Sequence, residues 1–500
     1  MIISHKHKFI FFKTRKTAGS SIQVELAKYC TYDDIITGQY KQGIDDSSHS
    51  AGLNMDKFYT NHPHPILKDT KNFLGSDIWN SYFKFAFVRN PFEIAVSRYF
   101  WNKKGKSNNV EHTSISDFKN WVKSGLLIED SLIPYTCDFG KIDLDFIGYY
   151  ENLQNDYNFI CKQLDLPGKE LPKLKSGFRD ENYYTKYYDN ETIDIVSKFY
   201  EKDLQIFDYK FNQRFKVRKC HPIISPKMMK TGGDNINGPS LIKVPNWVEN
   251  PLGKYYLYFG NHNGKYIRLA YSNNIEGPYK VYESGTLQLN QTTCKTHIAS
   301  PDVHIQGNKI LMYYHGDTDN GQKSFLSYST DGLNFKTDNK VLGEFYFRVF
   351  EYNDKIYSIA KNKNEDSVIY ESDTYSGEFK KIFNILPNSR HTACMVNKNI
   401  LSLFYTIIGE SPESIYVCRI NLDTWEVIDA ELLTKPTEEY EGSELPFSVS
   451  RPGSSTVYSG GAVRELRDPC VYTEGEDIYL LNSIKGELGI AISKLYKLWK

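Results

Sequence analysis

The chain has 500 residues, with 61 basic and 61 acidic side chains and a formal net charge of zero at pH 7. This balance excludes a global field that draws the protein to nucleic acid or to an anionic membrane, so any basic site must be local. The length predicts two or three domains. A hydrophobic content of 40%, with 38 tyrosines and 29 phenylalanines, predicts a folded protein rich in strands.

The eight cysteines are scattered without the CxxC spacing of zinc sites. This pattern predicts neither a structural metal nor a disulfide framework, and it suits a reducing compartment. The N-terminal apolar run is too short for a signal peptide, and no later segment reaches about 18 uninterrupted apolar residues. We therefore expect a cytoplasmic protein without a membrane span. The sequence leaves the oligomeric state open.

The first chemically informative stretch is FIFFKTRKTAGSS, which spans Phe9 to Ser21. It predicts a buried strand, a phosphate-binding loop and a helix N-terminus, where unpartnered N–H groups and the helix dipole favour an anion. The spacing is not that of the GxxxxGK(S/T) loop, because the only glycine follows the lysine. The predicted donor contacts are Lys13, Thr14, Arg15, Lys16, Thr17, Ala18, Gly19, Ser20 and Ser21. A basic surface turn is the alternative interpretation.

Two further stretches extend this site. KFYTNHPH ends in His62 and His64, which the neighbouring prolines place at a strand end or in a loop. YFKFAFVRNPFEIAVSRYFW predicts a buried strand over 82–88, an Asn-Pro turn and a helix over 92–101. Arg89 at the strand end and Ser97 on the helix are candidates for holding one phosphate, since a guanidinium and a hydroxyl both donate hydrogen bonds.

Together, FFKTRKTAGSS and FKFAFVRNPFEIAVSRYFW resemble the two donor-binding segments of sulfotransferases that use 3′-phosphoadenosine 5′-phosphosulfate (PAPS), in the branch that includes carbohydrate sulfotransferases. DLDFIGYYENLQ, which begins at Asp143, and the run over 183–211 resemble the closing segments of that branch. The resemblance covers residues 8–213. It implies a P-loop-like α/β domain in which helices flank a parallel sheet.

The resemblance also implies roles for individual residues. Residues 15–21 would hold the 5′-phosphosulfate, with Lys16 beside the bridging oxygen, while Arg89 and Ser97 would hold the 3′-phosphate. The usual base of the family is a histidine or a glutamate between the two segments, and counting back from Gly75 selects His64, with His62 as the alternative. A histidine with a pKa near ~6.5 can deprotonate a hydroxyl at neutral pH, and this chemistry requires no metal.

The composition changes after Phe211. We assign residues 1–215 to the first domain, 216–235 to a polar connector and 236–500 to a second domain. Short aromatic strands recur in the second domain, each followed by a second strand: GKYYLYFG, GNKILMYYHG, NDKIYSIAKN, KNILSLFYT and GEDIYLLNS. Five such units, spaced about 45 to 75 residues apart, predict a five-bladed β-propeller, with a β-sandwich as the alternative.

The second domain resembles the five-bladed propellers of arabinanase-like glycoside hydrolases through SPDVH, from Ser300, and RDPCVY, from Arg467. That family implies three carboxylates on successive blades. Asp302 matches the second and Glu344 is a candidate for the third, but the first position is Asn237, which cannot take a proton. Asp234 and Asp468 are candidate substitutes. The candidates for binding an anionic or sulfated glycan, or for forming salt bridges between blades, are Arg348, Arg390, His391 and Arg467.

The leading hypothesis is a PAPS-dependent sulfotransferase that modifies a hydroxyl of a carbohydrate acceptor and carries a propeller that binds or processes glycan. Two alternatives stay open. In one, the propeller is an active glycoside hydrolase and provides the main activity. In the other, the protein is not catalytic and only binds glycan and nucleotide.

Overall fold

A computed structural model gives the fold of the chain in two compact units. One unit comprises Met1–Arg214 with Lys497–Lys500, and the other comprises Phe215–Tyr496. The structure describes residues 1–37, 64–104, 115–127, 130–174, 184–213, 215–218, 221–230, 235–362, 366–436 and 462–497. His62 and Asp234 lie outside the described residues. Within these ranges, no helix combines the length and apolar character needed to cross a membrane.

The N-terminal unit contains a central sheet with helices around it. Its strands are β1 (Ile2–Ser4), β2 (Phe9–Phe12), β3 (Ile35–Ile36), β4 (Phe83–Val88), β5 (Cys137–Asp138), β6 (Lys141–Ile142) and β7 (Phe146–Tyr149). Its helices are α1 (Gly19–Ala27), α2 (Leu67–Ser81), α3 (Pro91–Lys104), α4 (Ile115–Lys123), α5 (Ile133–Thr136), α6 (Leu153–Gln163), α7 (Asn190–Phe199) and α8 (Glu201–Ile206).

The central sheet has the strand order β3-β1-β2-β4-β7. Strands β2, β4 and β7 are parallel, as predicted, but β1 is antiparallel to both β2 and β3. The sheet is therefore mixed rather than wholly parallel. The physical reason is the four-residue connection between β1 and β2, because so short a link permits only antiparallel pairing.

Strands β2 and β4 are buried on both faces, which explains their continuous apolar sequences. Alternate side chains enter two different hydrophobic clusters. Phe9, Phe11, Phe85 and Phe87 enter one cluster, and Ile10, Phe12 and Ala86 enter the other. Because β2 and β4 are parallel neighbours, both end at the same edge of the sheet. At that edge, β2 leads into the predicted phosphate loop and β4 leads into Arg89.

The C-terminal unit is a five-bladed β-propeller, as predicted. The strands of the first two blades are β10 (Asn237–Lys243), β11 (Tyr255–Gly260), β12 (Arg268–Ser272), β13 (Lys280–Tyr282), β14 (Ile298–Gln306), β15 (Lys309–Thr318), β16 (Gly321–Ser329) and β17 (Lys336–Thr337). Those of the next two are β18 (Phe345–Tyr352), β19 (Lys355–Lys361), β20 (Asp366–Ser372), β21 (Lys380–Pro387), β22 (Ser389–Asn397), β23 (Ile400–Ile407), β24 (Ile415–Asn421) and β25 (Glu426–Thr434). The recurring aromatic segments supply the second strand of each blade.

The fifth blade combines strands from both ends of the unit. It contains β26 (Leu466–Glu474), β27 (Asp477–Ile484), β28 (Ile490–Lys497), β8 (Phe215–Val217) and β9 (His221–Ile224). Both β8 and β9 pair with β28. Residues 216–235, which the sequence suggested as a connector, thus contribute to this blade. Pairing of the two ends covers a sheet edge that an open blade would expose.

The first strand of every blade has a β-bulge at an equivalent place. The register shifts lie between Asn237 and Ser240, Ala299 and Asp302, Phe345 and Arg348, Arg390 and Ala393, and Arg467 and Cys470. Each bulge contains one residue with positive φ: Gly238, Ser300, Tyr346, His391 or Asp468. Bulges redirect side chains out of the regular alternation of a strand. The fold therefore presents five equivalent, redirected positions.

Candidate functional site

The predicted phosphate loop connects β2 to α1 and has an unusual backbone. Lys16 and Ala18 both adopt the left-handed region, each with a φ of 60°. Such residues are uncommon outside glycine and concentrate at functional sites. Alternation of right- and left-handed residues turns successive N–H groups toward one point and creates an anion-binding concavity. The loop backbone therefore suits a phosphate or phosphosulfate group.

Gly19 has a structural role in this loop. A Cβ atom at this position would lie 2.7 Å from Lys13 Cγ and 3.2 Å from the Thr14 carbonyl oxygen. The glycine thus permits the loop to fold tightly over its own first residues.

Several predicted hydroxyl donors hold the loop in place. The Thr14 hydroxyl donates to the Phe87 carbonyl oxygen at 2.5 Å and lies 2.6 Å from the Thr17 hydroxyl. Both threonines are buried. Ser21 is also buried, and its hydroxyl accepts a hydrogen bond from the Leu174 amide. Ser20 is only half-buried in the first turn of α1. The threonine hydroxyls therefore fasten the loop to the end of β4.

The two central cations of the loop have different surroundings. The Lys16 ammonium lies over the Trp101 ring, 4.7 Å from its centroid. The Arg15 Nη1 atom lies 3.4 Å from the Asp130 Oδ1 atom, and the Arg15 side chain is 31% exposed. The Trp101 contact is a cation–π interaction, which attracts an ammonium without neutralising it. Trp101 therefore holds the Lys16 ammonium beside the left-handed turn.

His64 lies against this loop, as the spacing to Gly75 suggested. Its Nδ1 atom is 2.7 Å from the Lys13 carbonyl oxygen. Since a carbonyl only accepts, Nδ1 carries the proton and Nε2 keeps a lone pair. The ring also meets Tyr135 edge-on, with 6.4 Å between centroids. This tautomer is the one that a general base needs.

The surroundings of His64 also keep it neutral. Its pKa is lowered to about 3, chiefly by burial and further by the charges of Lys13, the N-terminal ammonium and Arg15, against the opposing hydrogen bond to the Lys13 backbone. An imidazole with a lowered pKa stays unprotonated throughout the neutral range.

Arg89 connects the two segments that the sequence assigned to donor binding. Its Nη1 donates to the Lys16 carbonyl oxygen at 2.9 Å, and its Nη2 donates to the Glu93 carboxylate at 2.7 Å. The guanidinium carbon also lies 3.8 Å from the centroid of the Tyr150 ring. Among the described residues, the buried Nε of Arg89 has no hydrogen-bond partner. Ser97 lies half-buried on α3.

The propeller contains a second group of polar and ionisable side chains, which we call the propeller cluster. Its members are Asn235, Asn237, His262, Arg390, His391, Glu413, Glu465, Arg467, Asp468 and Glu487. Sequence reasoning missed His262 and the three glutamates. They lie outside the first strands of the blades and carry no recognisable motif. The sequence signal available for the bulges is a proline, which follows the positive-φ residue in three of the five.

The arginines of the propeller cluster are already paired with carboxylates. Arg467 donates from Nε to Glu413 at 2.7 Å and has its Nη1 3.3 Å from Glu487 and its Nη2 3.2 Å from Glu465. Arg390 donates from Nε to Glu413 at 3.0 Å. Of these pairs, Arg467–Glu413 joins two blades, as in the predicted alternative, whereas the others lie within one blade. All of them reduce the attraction that the two arginines exert on an anionic ligand.

The other predicted propeller residues lie in polar contacts of their own. Asp302 accepts hydrogen bonds from His304 Nε2 and the Val349 amide, each at 2.8 Å. Glu344 pairs with Lys323 at 2.9 Å. Arg348 donates to three backbone carbonyl oxygens, those of Ser300 at 3.2 Å, Phe347 at 3.0 Å and Thr392 at 3.1 Å. Arg348 thus ties the third blade to its two neighbours.

Burial and neighbouring charges give the carboxyls of the propeller cluster different pKa values. It raises the pKa of Glu465 to about 8, and neither carboxyl oxygen of Glu465 has a hydrogen-bond partner in the described structure. Burial, with the nearby Glu487 carboxylate, also raises the pKa of Asp468. Burial opposes ionisation of Glu487, but His262 and Arg467 outweigh it and lower its pKa. In the same cluster, burial lowers the pKa of His391.

Replacing Arg467 with Gln is expected to destabilise the propeller by about 3–5 kcal/mol, because loss of one partner leaves buried carboxylates uncompensated. The measurement is the free energy of the propeller transition in urea. Arg419→Gln is the matched control, since Arg419 pairs with Asp429 at 2.9 Å in a more exposed place. It should cost less than about 1 kcal/mol. Equal losses would show that the Arg467 pairs have no special weight.

Replacing Glu465 with Gln is expected to stabilise the propeller at pH 8 more than at pH 5. The folded pKa of about 8 exceeds the ordinary value of 4.5, so the unfolded chain binds fewer protons between these values. The contribution of Glu465 to stability therefore falls as pH rises through this window. Urea titrations of both proteins at several pH values measure the effect. A stability difference independent of pH would contradict it.

An α/β unit with a loop suited to an anion, a neutral histidine against that loop and an arginine at the next strand end suits the binding of an anionic ligand. A sequence model of the sulfotransferase family matches residues 1–210. The match assigns the N-terminal unit, and not the whole chain, to the sulfotransferase family. Among the described residues, no group of three or more His, Cys, Asp or Glu side chains is arranged to hold a metal ion.

Two uncharacterised proteins are similar in sequence. The protein R118 of Acanthamoeba polyphaga mimivirus is 31% identical over 312 residues, which cover 53% of this chain and 85% of the viral protein. A protein of Archaeoglobus fulgidus is 34% identical over 116 residues, which cover 23% of this chain and 92% of the archaeal protein.

Solved structures of glycoside-active enzymes show a weaker likeness. A β-1,2-mannobiose phosphorylase from Listeria innocua is 12% identical, with a TM-score of 0.41 over 57% of this chain and 97% of the enzyme. An exo-1,5-α-L-arabinanase from a bovine ruminal metagenomic library is 10% identical, with a TM-score of 0.36 over 52% and 92% of the two chains. Likeness at this level does not extend to activity or substrate.

Proposed function

We propose that the N-terminal unit transfers a sulfonate group from PAPS to an acceptor hydroxyl. The observation that carries this proposal is the contact between His64 and the phosphate loop. The phosphate loop presents Lys16 and an anion-binding backbone. The Lys13 carbonyl oxygen of the same loop lies 2.7 Å from His64 Nδ1 and holds the imidazole in the tautomer that a base needs. The donor anion on the loop and the neutral imidazole of His64 would therefore lie next to each other.

The chain's own groups account for both ends of the reaction. His64 Nε2 accepts the proton of the hydroxyl as its oxygen bonds to sulfur. The bond between sulfur and the bridging oxygen breaks, and the departing phosphate oxygen gains negative charge. Lys16 and the N–H groups of the loop stabilise that charge, which is greatest in the transition state. The products are a sulfate ester and adenosine 3′,5′-bisphosphate.

Arg89 and Ser97 are our assignment for the 3′-phosphate. Arg89 lies at the end of β4, and its Nε has no hydrogen-bond partner among the described residues. Ser97 lies on α3, which begins two residues after Arg89. The Lys16 carbonyl oxygen is bonded to Arg89 at 2.9 Å, so the two ends of the donor would be bound by groups already in contact.

For the acceptor we propose a carbohydrate, which the propeller would bind. The propeller cluster combines amides, imidazoles, guanidiniums and carboxyls, and such a set can both donate to and accept from sugar hydroxyls. Its two arginines are paired with carboxylates, which favours an acceptor with little negative charge. The carbohydrate-modifying branch that the N-terminal sequence resembles supports the same choice.

A second candidate function is glycoside hydrolysis by the propeller. It is favoured by Asp468 and Glu487, whose pKa values are shifted in opposite directions within one cluster. Acid and base pairs of glycosidases have this property. Release of reducing sugar from neutral polysaccharides, abolished by Asp468→Asn, would support this function. Lack of release from every polysaccharide in the panel would exclude it for those substrates.

Incubation of the full chain with PAPS and a panel of neutral oligosaccharides tests the main proposal. We expect a sulfated oligosaccharide, detected by mass spectrometry, together with adenosine 3′,5′-bisphosphate. Calorimetric binding of adenosine 3′,5′-bisphosphate without any transfer would favour the non-catalytic alternative. The absence of both binding and transfer would overturn the proposal as a whole.

A further inference from the structure

Asp130 is a buried carboxylate that meets two arginines from the two donor segments. Its side chain is inaccessible to solvent, and it lies shortly before α5. Arg98, which follows Ser97 on α3, donates to both carboxylate oxygens through Nε and Nη2. Arg15 of the phosphate loop has its Nη1 3.4 Å from the Asp130 Oδ1 atom. One carboxylate thus joins the loop after β2 to the helix after β4.

The contacts of Arg15 continue toward the proposed base. Burial raises the pKa of the Tyr135 hydroxyl, and the nearby Arg15 guanidinium opposes that rise. The Tyr135 ring in turn meets the His64 ring edge-on, with 6.4 Å between centroids. Arg15 therefore has Asp130 as its partner and Tyr135 as a neighbour, and Tyr135 packs against His64.

Charge neutralisation alone does not explain Asp130. The Arg15 side chain is 31% exposed and its Nη1 lies as far as 3.4 Å from Asp130, so this pairing adds little stability. A carboxylate also opposes the binding of an anionic donor. A site selected only for donor affinity would leave both guanidiniums unpaired. Orientation is the remaining benefit, and misplacement of a reacting group by about 1 Å can cost about 10²-fold in rate.

We infer that Asp130 is a positioning residue that holds Arg15 and Arg98 in the arrangement required for sulfonate transfer. This inference rests on the proposed function, because the arginines gain their role from the PAPS donor. It predicts that Asp130 contributes to turnover rather than to donor affinity. The two hydrogen bonds from Arg98 to the Asp130 carboxylate would fix the helix that carries Ser97. The contact between Asp130 and Arg15 would fix the loop that carries Lys16.

Asp130→Asn tests this inference in the full chain, because it keeps the size of the side chain and removes the carboxylate fork. We expect kcat for sulfonate transfer to fall by about tenfold or more. The KM for PAPS and the calorimetric Kd for adenosine 3′,5′-bisphosphate should stay within about threefold or decrease, because a negative charge leaves the donor site. Asp130→Glu, which restores the charge, should recover part of kcat.

Asp203→Asn is the matched control. Asp203 is also a buried carboxylate, and it holds the same segment by accepting hydrogen bonds from the Ser131 hydroxyl at 2.8 Å and the Leu132 amide at 2.7 Å. We expect it to lower the melting temperature without the split between kcat and KM. An equal fall of kcat in both variants would overturn the inference, since Asp130 would then only hold the segment.

A second variant keeps the inference testable if Asp130→Asn does not fold. Arg98→Lys retains the positive charge but loses the planar fork, so it should lower kcat in the same direction with little change in the Kd for adenosine 3′,5′-bisphosphate. Wild-type kcat in the Arg98→Lys protein would overturn the inference. Absence of transfer by the wild-type chain is a different result, which would overturn the proposed function and this inference with it.

Discussion

Replacing Lys16 with Ala is expected to lower kcat for sulfonate transfer by about 10²- to 10³-fold, the loss typical of removing one preorganised group that stabilises developing charge. The loop backbone that binds the donor remains, so the Kd for adenosine 3′,5′-bisphosphate should change much less than kcat. The Lys16 ammonium lies over Trp101 in the structure and is therefore not neutralised by that partner. Steady-state kinetics and calorimetry on the same preparations measure the two quantities.

Lys28→Ala is the control for the Lys16 prediction. Lys28 lies at the end of α1, is about half exposed and pairs with Glu25, and its replacement removes the same charge from the same unit. Its kcat should stay within about twofold of wild type, because a solvent-exposed charge is screened. Equal losses in the two variants, or near-normal turnover with Lys16→Ala, would contradict the role of Lys16 at the leaving oxygen.

Replacing His64 with Asn is expected to lower kcat by about 10²- to 10⁴-fold, the usual contribution of a general base. An Asn amide can still donate to the Lys13 carbonyl oxygen, which His64 Nδ1 approaches at 2.7 Å, so the variant mainly removes Nε2. Stopped assays at saturating PAPS measure the loss. His62→Asn is the matched control. A loss in that variant with normal turnover in His64→Asn would move the role of base to His62.

The pH dependence of the wild-type reaction provides an independent test of His64. The pKa of His64 is lowered to about 3, and a base is active when it is unprotonated. The acid limb of kcat/KM, which reports the free enzyme, should therefore lie well below pH 6.5. The negative charges of a bound donor raise the pKa of a nearby imidazole, so kcat should show its acid limb at a higher pH than kcat/KM. A kcat/KM limb near pH 6.5 would contradict the lowered pKa of His64 and would indicate a base with an ordinary imidazole pKa.

Local sequence patterns were sufficient to predict the main elements of both units. The apolar run at Phe9–Phe12 indicates a strand because both of its faces are buried. Pro91 occupies the first position of α3, where a missing N–H costs nothing. The aromatic strands of the propeller repeat because every blade needs the same buried second strand. These features depend on neighbours in the sequence, so the sequence alone reveals them.

Features that depend on distant partners were not predictable. Strands β8 and β9 are short and flanked by polar residues, and only pairing with β28 defines them as part of a blade. Asp130, Glu413 and Glu487 lie outside the regular strands and helices that flank them, where a single carboxylate gives no local signal. Their importance follows from the arginines that the fold brings to them. Arg89 was predicted as a phosphate ligand, but its contacts with Glu93 and Tyr150 were not.

Single-turnover conversion of labelled PAPS by the full chain, with a neutral oligosaccharide as acceptor, tests the central claim most directly. We predict that label moves to the oligosaccharide with the wild-type chain, that an equal amount of adenosine 3′,5′-bisphosphate forms, and that Lys16→Ala and His64→Asn each slow the transfer by at least about 10²-fold. Release of label as free sulfate only, or transfer at the wild-type rate in both variants, would contradict the assignment of this unit as a sulfotransferase site.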